Sequence, residues 1–359
     1  MKGNFSSNIY IAGHTGLVGS AIHRNLKDKG YSNYTLYSVE KLDLRRQELV
    51  EGLFQKHKPE YVFHAAAKVG GIVANDTYKA EFIYDNILIS ANIINSAYKY
   101  GVKKLINLGS SCIYPKFAPQ PMKEEYLLTG TLEPTNEPYA IAKIAAIKLC
   151  RFYNEQYGTN FISVMPTNLY GRNDNYNLET SHVLPALIRK MILGKLLLEN
   201  KFDLIKKDIS KNRFGFGFDK RINFDDENSI ISALDKIGIT SEGIKVWGSG
   251  NVYREFLHVD DMAEACTFLM ENYSYKDIGE FINIGTGVDI TIRDLVFMIK
   301  EIVDYKGEIF FDIDKPEGTL KKLLDVNRLF SLGWKPKITL NDGIKMVVDE
   351  YFQKLGLSL

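Results

Sequence analysis

Cysteine is scarce in this sequence of 359 residues: only Cys112, Cys150 and Cys266 occur, and no two of them have CxxC spacing. An odd number of widely spaced cysteines argues against a disulfide framework and against a zinc site. We therefore expect no metal, and a reducing, cytoplasmic compartment.

An excess of one charge and long apolar runs are also absent. The chain has 45 basic and 44 acidic residues, a formal net charge of +1, and no block of like charges that would suit a nucleic acid or an anionic membrane. The most apolar helical stretch, 184–198, contains Arg189, Lys190 and Lys195, which argues against a membrane span. The apolar residues 9–11 are too few for a signal peptide. The expected partner is a small molecule, with no nucleic acid and no membrane.

Short β-branched runs alternate with amphipathic stretches of helical length up to Gly171, which predicts βαβ units and a parallel sheet. The predicted fold class is α/β, with a doubly wound parallel sheet and a smaller α/β domain. Strands are expected at 8–12, 34–38, 60–64, 103–108 and 160–165. Helices are expected at about 17–29, 46–57, 79–100 and 138–157. Further along the chain, the pattern predicts a helix at 181–194, a strand near 244–247, a strand and helix over 255–272, and a strand at 280–284. Two more helices and a strand are expected within 290–359.

The chain is longer than one hydrophobic core usually serves, so two unequal domains are expected. A dinucleotide-binding domain is predicted from residues 1–178 plus about 255–286, and a substrate-binding domain from about 179–254 plus 287–359. Residues 199–243 form an insertion in the second domain, with a helix expected at 226–237. A segment of this length in a compact domain is usually functional or disordered.

A glycine-rich turn follows the first predicted strand and opens the first predicted helix. Its GxxGxxG spacing lets the backbone turn tightly and approach a pyrophosphate at the helix N-terminus, although the pattern alone is also compatible with a packing turn. The turn consists of Gly13, His14, Thr15, Gly16, Leu17, Val18 and Gly19. Asp43 and Leu44, after the second strand, are candidates for contact with the adenine side.

Tyr139 and Lys143 are four residues apart on a predicted helix, so both side chains project from one face. We expect the ammonium to lower the pKa of the phenol and make it a proton donor to a ketone. YxxxK spacing also occurs twice elsewhere and is not specific. Only Tyr139 follows a strand that ends near Ser110, whose hydroxyl can bond the same ketone oxygen at the carboxyl end of the sheet.

Cys112 and His182 are weaker candidates from the residues alone. An extended backbone would point Cys112 and Ser110 to the same side, and a thiol there suits proton transfer next to a ketone. A small buried cysteine is the commoner role of this residue type, and a histidine at a helix start is more often a cap or a surface residue.

Five longer segments carry a specific resemblance. They are AAAKVGGIVAN at 65–75, GSSCIYP at 109–115, GTLEPTNEPYAIAK at 130–143, PTNLYG at 166–171 and REFLHVDD at 254–261. Over about residues 8–335, apart from the insertion, the chain resembles the GDP-L-fucose synthase family of extended short-chain dehydrogenases/reductases. The resemblance implies a Rossmann domain, a nucleotide-sugar domain, a homodimer and NADP(H), with NAD(H) as an alternative. It implies epimerisation of a GDP-4-keto-6-deoxy-mannose at C3 and C5 and reduction at C4.

The resemblance also implies roles for individual residues. Tyr139 protonates the C4 oxygen, Lys143 holds the cofactor ribose, Ser110 orients the ketone, and Cys112 and His182 are the base and acid of epimerisation. Further cofactor contacts are implied for Leu108, Lys143, Pro166, Asn168, Leu169 and His182. The GDP-sugar is implied to contact Asn168, Val183, Lys190, Trp247, Arg254, Glu317 and Lys322.

Two departures leave alternatives open. Thr15 and, approximately, Val39 replace arginines that bacterial members use for the 2′-phosphate of NADP, although Lys41 could compensate. The insertion makes the distance from His182 to Trp247 roughly forty residues longer than the resemblance implies. An alternative function is therefore C4 reduction alone, on a related GDP-4-keto-6-deoxy sugar such as a heptose used in surface polysaccharide biosynthesis.

Other functions fit less well. A 4,6-dehydratase needs an acidic pair where residues 111–113 read SCI, and a 4-epimerase has no need of Cys112 and His182. A non-catalytic, cofactor-sensing binding protein has no need of Ser110, Tyr139 and Lys143 together.

Overall fold

The computed structural model of this chain describes residues 3–315 and 318–357. Its strands are β1 (Ile9–Ala12), β2 (Tyr34–Thr35), β3 (Tyr61–His64), β4 (Lys104–Leu108), β5 (Phe161–Pro166), β6 (Asn168–Tyr170), β7 (Gly243–Trp247), β8 (Tyr253–His258), β9 (Phe281–Ile284), β10 (Asp289–Thr291), β11 (Glu308–Asp312) and β12 (Lys321–Lys322).

The helices follow the same chain order. They are α1 (Leu17–Asp28), α2 (Gln47–His57), α3 (Ile72–Thr77), α4 (Lys79–Lys99), α5 (Glu137–Tyr157), α6 (Val183–Leu198), α7 (Phe202–Asn212), α8 (Glu227–Lys236), α9 (Val259–Asn272), α10 (Tyr275–Ile278), α11 (Ile292–Val303), α12 (Asn327–Ser331) and α13 (Leu340–Leu355).

The chain divides into two compact units. The first runs to Leu169 and adds Glu255–Val288 and Lys322–Lys337; the second contains Tyr170–Arg254, Asp289–Lys321 and the chain from Ile338. Residues 170–178 therefore group with the second unit and 322–337 with the first, which differs from the boundaries expected from the sequence.

The first unit is built on a six-stranded sheet in the order β2-β1-β3-β4-β5-β9, in which every neighbouring pair is parallel. Successive residues of β1 alternate between two cores. Ile9 and Ile11 pack with α1 and α9 residues on one face, and Tyr10 and Ala12 pack with α2, α4 and α5 residues on the other. Because both faces are covered, all four residues of β1 are apolar and buried. The predicted Rossmann-type doubly wound sheet is confirmed.

The chain order reverses at β1, whose neighbours β2 and β3 lie on opposite sides of it. Loops that follow the carboxyl ends of β1 and β3 therefore lie at the topological switch point, where open α/β sheets bind ligands. The glycine-rich turn follows β1, and residues 65–75 follow β3.

The second unit has a parallel pair of strands, β7 and β11, in which Ile244 lies opposite Ile309. Helix α6 packs on α7 and α11, and α13 packs on α11. The insertion folds into α7, a short 3-10 turn at Asp219–Arg221 and α8. The helix expected at 226–237 is present, whereas α7 was not predicted, although Phe202, Ile205 and Ile209 recur at helical spacing.

Within residues 3–315 and 318–357, no helix combines the length and the apolar character needed to cross a membrane. In the same part of the chain, no group of three His, Cys, Asp or Glu side chains has an arrangement that could hold a metal ion.

Candidate active site

The glycine-rich turn is shaped by contacts that a side chain would destroy. Gly13 has φ +81°, and a Cβ there would lie 2.9 Å from the Ala66 backbone. A Cβ on Gly19 would lie 2.1 Å from the Gly13 carbonyl oxygen, so α1 can pack against the turn only with glycine there. The Gly16 amide donates to the Gly13 carbonyl at 3.0 Å and closes the turn. Glycine is therefore required sterically at two of the three glycine positions of the GxxGxxG pattern, Gly13 and Gly19.

The N-terminus of α1 suits an anion. Gly16 caps the helix without a side-chain hydrogen bond, and no acidic residue lies in the first turn. The Nδ1 atom of His14 is buried and has no hydrogen-bond partner among the described residues, and burial lowers the pKa of this imidazole. An unpartnered polar atom beside a glycine-rich turn at a helix N-terminus fits the pyrophosphate of a dinucleotide. Thr15 is exposed, and Leu17 and Val18 are half-buried in the first turn of α1.

The predicted adenine-side residues are engaged within the protein. Arg45 donates to both carboxylate oxygens of Asp43 at 2.9 Å, and this bond holds the pKa of Asp43 below its usual value. The carbonyl of Leu44 accepts a hydrogen bond from Asn92 at 3.0 Å. Val39 is 72% exposed, and Lys41 is also exposed. Of the two, only Lys41 offers a positive charge to a 2′-phosphate.

Ser110 and Cys112 lie directly after the carboxyl end of β4. The backbone is not extended here: a 3-10 turn spans Ser111–Ile113, and the Ser110 hydroxyl accepts a hydrogen bond from the Cys112 amide at 3.4 Å. The expectation of an extended segment was therefore wrong, because the serine caps a tight turn. The turn nevertheless keeps the two side chains in contact, since a hydrogen bond between the Ser110 and Cys112 side chains acts to lower the pKa of the thiol.

Tyr139 and Lys143 lie one turn apart on α5, which begins with Pro138 in its first turn. The Lys143 ammonium is buried, donates to the Leu108 carbonyl at 2.8 Å and lies 5.6 Å from the Tyr139 ring centroid. That bond ties the lysine to the end of β4, two residues before Ser110. Ser110, Cys112, Tyr139 and Lys143 thus come from the ends of β4 and α5 within one unit.

Burial controls the protonation of this group. It raises the pKa of Tyr139 well above its usual value, with the charge of Cys112 adding to the effect, and lowers the pKa of Lys143 to about 8. The expectation that the phenol pKa is lowered was wrong for the protein alone, because desolvation of the buried phenol raises it. Burial also raises the pKa of Cys112, while Ser110, Lys322 and Lys143 act in the opposite direction.

The remaining cofactor candidates of the first unit follow β4 and β5. Pro166 ends β5, and the Asn168 side-chain amide donates to the Glu255 carbonyl at 2.8 Å. Leu169 is partly buried against the core that contains α1 and α9.

In the second unit, His182 directly precedes α6 and is exposed. Desolvation by the surrounding protein nevertheless lowers the pKa of its imidazole. Val183, the next residue, is 37% exposed. Lys190 donates to the Lys245 carbonyl at 3.1 Å, and burial lowers its pKa to about 8. That carbonyl lies two residues before Trp247, an exposed indole at the end of β7.

Arg254 lies near the loop after β11. Its guanidinium donates to the Tyr253 and Thr319 carbonyls at 2.6 and 2.7 Å. The Lys315 ammonium of this loop lies 5.8 Å from the Trp247 ring centroid. Glu317 lies outside the described residues. Lys322 belongs to the first unit, where it is close enough to Cys112 to lower the pKa of the thiol.

Sequence reasoning missed Glu255, a fully buried carboxylate in β8. One of its oxygens accepts from the Thr286 and Gly287 amides at 2.6 and 2.8 Å, and the other accepts from Leu324 at 3.0 Å. A Cβ on Gly285 would lie 2.2 Å from this carboxylate. The available signal was an acidic residue directly before the apolar pair Phe256 and Leu257.

Comparison with known proteins places this geometry in a family. The model of the NAD dependent epimerase/dehydratase family matches residues 9–208 and 209–285. A putative GDP-L-fucose synthase 2 of Arabidopsis thaliana is 49% identical over 350 residues, covering 98% of this chain and 93% of the relative.

Two solved structures are similar over nearly their whole length. One is a GDP-6-OMe-4-keto-L-xylo-heptose reductase from C. jejuni, with 40% identity, coverage of 98% and 99% of the two chains, and a TM-score of 0.91. The other is a GDP-mannoheptose C4 reductase from Campylobacter jejuni with NADP bound, with 41% identity, coverage of 97% and 99%, and a TM-score of 0.84. This chain therefore belongs to the NAD dependent epimerase/dehydratase family and, within it, to the GDP-L-fucose synthase family.

Proposed function

We propose that this protein reduces the C4 ketone of a GDP-linked 4-keto-6-deoxy sugar with NADPH, and that it first epimerises C3 and C5 at the same site. The grouping of Ser110, Cys112, Tyr139 and Lys143 at the ends of β4 and α5 carries this proposal. The names of the relatives support the substrate class, and the NADP in one solved structure supports the cofactor.

The residues of the glycine-rich turn would hold the cofactor pyrophosphate, and Lys143 would hold the nicotinamide ribose. When bound, NADPH supplies the hydride that reaches C4. Lys41 is our candidate for the 2′-phosphate because it is exposed in the turn after β2. Asp43, Leu44, Leu108, Pro166, Asn168, Leu169 and His182 stay candidates for the remaining cofactor contacts.

In the reduction, Tyr139 gives its hydroxyl proton to the C4 oxygen. Its raised pKa keeps the phenol protonated at neutral pH, which is the form that the donor needs. The Ser110 hydroxyl donates to the same oxygen and stabilises charge as it develops there. Both groups that donate to the C4 oxygen thus belong to the first unit.

In the epimerisation, the Cys112 thiolate removes a proton from C3 or C5. An S–H bond forms, the C–H bond breaks, and the electron pair moves into the C4 carbonyl, which becomes an enolate. His182 returns a proton to carbon. Because its pKa is lowered, its acid form is populated mainly below neutral pH, whereas the thiolate is favoured as pH rises. A bell-shaped dependence of the epimerisation rate on pH is the consequence.

The nucleotide end is assigned to Val183, Lys190, Trp247, Arg254 and Lys322, with Glu317 retained from the sequence. Lys190 and Trp247 meet at β7, and an indole there suits stacking while the cations suit a diphosphate. The three cysteines are all buried and unpaired, which fits the cytoplasmic compartment that we propose. We also infer a homodimer.

A second candidate is C4 reduction without epimerisation, on a GDP-linked keto-heptose. Two observations favour it: both solved structures compared above are heptose reductases, and the insertion touches the loop before His182. In that contact the Phe216 amide donates to the Glu179 carboxylate at 2.8 Å. An insertion seated on this loop can alter the space available to a longer sugar.

The deciding experiment incubates the protein in D2O with GDP-4-keto-6-deoxy-mannose and NADPH or NADH, and identifies the product by NMR. GDP-fucose with deuterium at C3 and C5 is expected, with NADPH the better reductant. Cys112→Ala should keep C4 reduction and lose deuterium incorporation. C4 reduction by the unaltered protein without deuterium at either carbon, or turnover only with a keto-heptose, would replace the first function with the second.

A further inference from the structure

A network of buried polar side chains joins the segment that carries Cys112 to the segment that carries Lys322. Tyr114, two residues after Cys112, is 3% exposed, and its hydroxyl donates to the Asn283 side chain at 2.5 Å. Asn283 in β9 is fully buried, and its amide group donates to the carbonyls of Met122 and Asp325 at 3.0 Å each. One asparagine therefore connects three chain segments of the first unit.

The segment that carries Lys322 is held from the other side. The Met122 amide donates to the Leu323 carbonyl at 2.7 Å, and the Asp325 amide donates to the Met122 carbonyl at 2.9 Å. The Leu324 amide donates to Glu255, whose second carboxylate oxygen is bound to the amides after β9. The backbone on the carboxyl side of Lys322 is thus fixed at each of its next three residues.

The network matters because of the charges around the thiol. Burial opposes the thiolate form of Cys112, and the groups that favour it are Ser110, Lys322 and Lys143. Tyr139 also interacts with the thiolate charge. Coulomb energy varies inversely with separation, so the benefit from a lysine depends on where its backbone is held. Around Tyr114 itself, the charged neighbours are Glu124, Asp325 and Arg328.

We propose that Tyr114, Asn283 and Glu255 are positioning residues for epimerisation, which hold the Lys322 ammonium where it stabilises the Cys112 thiolate. The inference rests on the proposed function, because it assigns Cys112 to proton removal at C3 and C5. It goes beyond that function by predicting that a buried network away from the reacting atoms separates epimerisation from reduction. Reduction uses Tyr139, Lys143 and Ser110 and has no need of a thiolate.

Tyr114→Phe tests this most sharply, because it removes one hydroxyl and keeps the ring. Tyr305→Phe is the matched control: this tyrosine is 2% exposed, and its hydroxyl has no hydrogen-bond partner among the described residues. Deuterium exchange at C3 and C5 is measured in D2O without NADPH, and reduction is measured separately with a keto-sugar that is already epimerised. We expect exchange by Tyr114→Phe to fall about two- to tenfold, the effect of one hydrogen bond. At saturating keto-sugar the kcat of reduction should be unchanged, because a weakened contact between Lys322 and the GDP-sugar changes only KM. Tyr305→Phe should alter neither exchange nor reduction.

A double-mutant cycle separates positioning from general destabilisation. If Tyr114 acts through Lys322, then Tyr114→Phe should have no further effect on exchange in a Lys322→Met background. Glu255→Gln should reproduce the loss of exchange, with thermal melting and NADPH binding as checks that each variant is folded. Additive losses in the cycle, or equal losses in exchange and in the kcat of reduction at saturating keto-sugar, would overturn the proposal.

Alkylation of Cys112 gives a readout that needs no substrate. Its rate with iodoacetamide, followed by mass spectrometry across pH, reports the thiolate fraction. Tyr114→Phe and Lys322→Met should both shift this profile to higher pH, because the thiolate loses stabilisation. Tyr305→Phe should leave the profile unchanged. If the unaltered protein exchanges no deuterium but the alkylation profiles shift as expected, epimerisation is refuted and the network stands. An unshifted profile in Tyr114→Phe would refute the network itself.

Discussion

Lys143 shows how burial sets the chemistry of a single residue. Its ammonium donates to the Leu108 carbonyl and lies beside the Tyr139 ring, and burial lowers its pKa more than the charge of Cys112 raises it. With a pKa lowered to about 8, the lysine is protonated about ten to one at neutral pH and loses its charge just above it. We therefore expect deprotonation of Lys143 to set the alkaline limit of the pH range in which C4 reduction is fast.

We predict that kcat/KM for C4 reduction falls as pH rises through about 8, because this parameter reports ionisations of the free enzyme. Below that pH Lys143 is charged and can hold the ribose; above it the charge is lost. Tyr139 ionises only at higher pH and does not contribute to the fall. Lys143→Arg should remove the fall while lowering the rate. Lys148→Arg, on the same helix but in an ion pair with Glu280, should change nothing. A flat profile from pH 7 to 10 in the unaltered protein would contradict the assignment.

The sequence could identify the active-site residues as candidates but not their protonation. The four-residue spacing of Tyr139 and Lys143 is local and predicted their common face correctly, since both lie on α5. The direction of the phenol pKa depends on how much protein surrounds it, which only the folded chain determines. The same limit applies to Glu255, whose partners come from two distant segments of the chain.

At the scale of elements, the insertion is attached to the second unit by a buried ion pair. Arg189 of α6 and Asp208 of α7 are both fully buried, with the guanidinium nitrogens 2.9 and 2.6 Å from one carboxylate oxygen. Arg189 also donates to the Tyr176 carbonyl at 2.8 Å, and the other carboxylate oxygen accepts from the Tyr351 hydroxyl of α13. One charge pair therefore connects three helices and a loop.

Arg189→Met is expected to lower the free energy of unfolding by about 3–5 kcal/mol, because it leaves Asp208 buried without its cation. Arg172→Met is the control. That arginine is 59% exposed and lies 3.7 Å from Glu350, so its loss should cost about 1 kcal/mol or less. Urea unfolding of both variants measures the difference. Equal effects would mean that the buried pair does not anchor the insertion.

The elements that the sequence predicted best are those with a strong local pattern. β1, α1 and α5 begin and end within a few residues of their expected bounds, and Gly158 ends α5 in the left-handed conformation. β2 is only Tyr34–Thr35, shorter than the expected 34–38. Arg189 counted in the sequence as an interruption of an apolar helix. Its burial depends on Asp208, and no local pattern reveals that pairing.

At the scale of the whole molecule, α4 and α5 present an apolar strip to solvent. Tyr84 is 64% exposed, Phe152 is 52% exposed and Ile141 is 39% exposed. Ala91 and Ala145, half-buried, continue the strip at helical spacing on the two helices, which pack against each other. Large exposed apolar strips on soluble proteins usually mark an interface, and small residues within one let helices approach closely. We propose that its partner is the same two helices of a second copy, because symmetric homodimers bring the same surface patch of both subunits together.

We therefore predict that Phe152→Glu converts a homodimer into a monomer, because it places a charge in the apolar strip of both copies at once. Light scattering after size exclusion should give twice the mass of the chain for the unaltered protein and the single mass for this variant. Phe297→Glu is the matched control, since Phe297 is 47% exposed on α11 and lies outside the strip. A monomeric unaltered protein would refute the dimer, and a dimeric Phe152→Glu would place the interface elsewhere. Since Ser110, Tyr139 and Lys143 all come from one chain, the monomer is expected to retain C4 reduction.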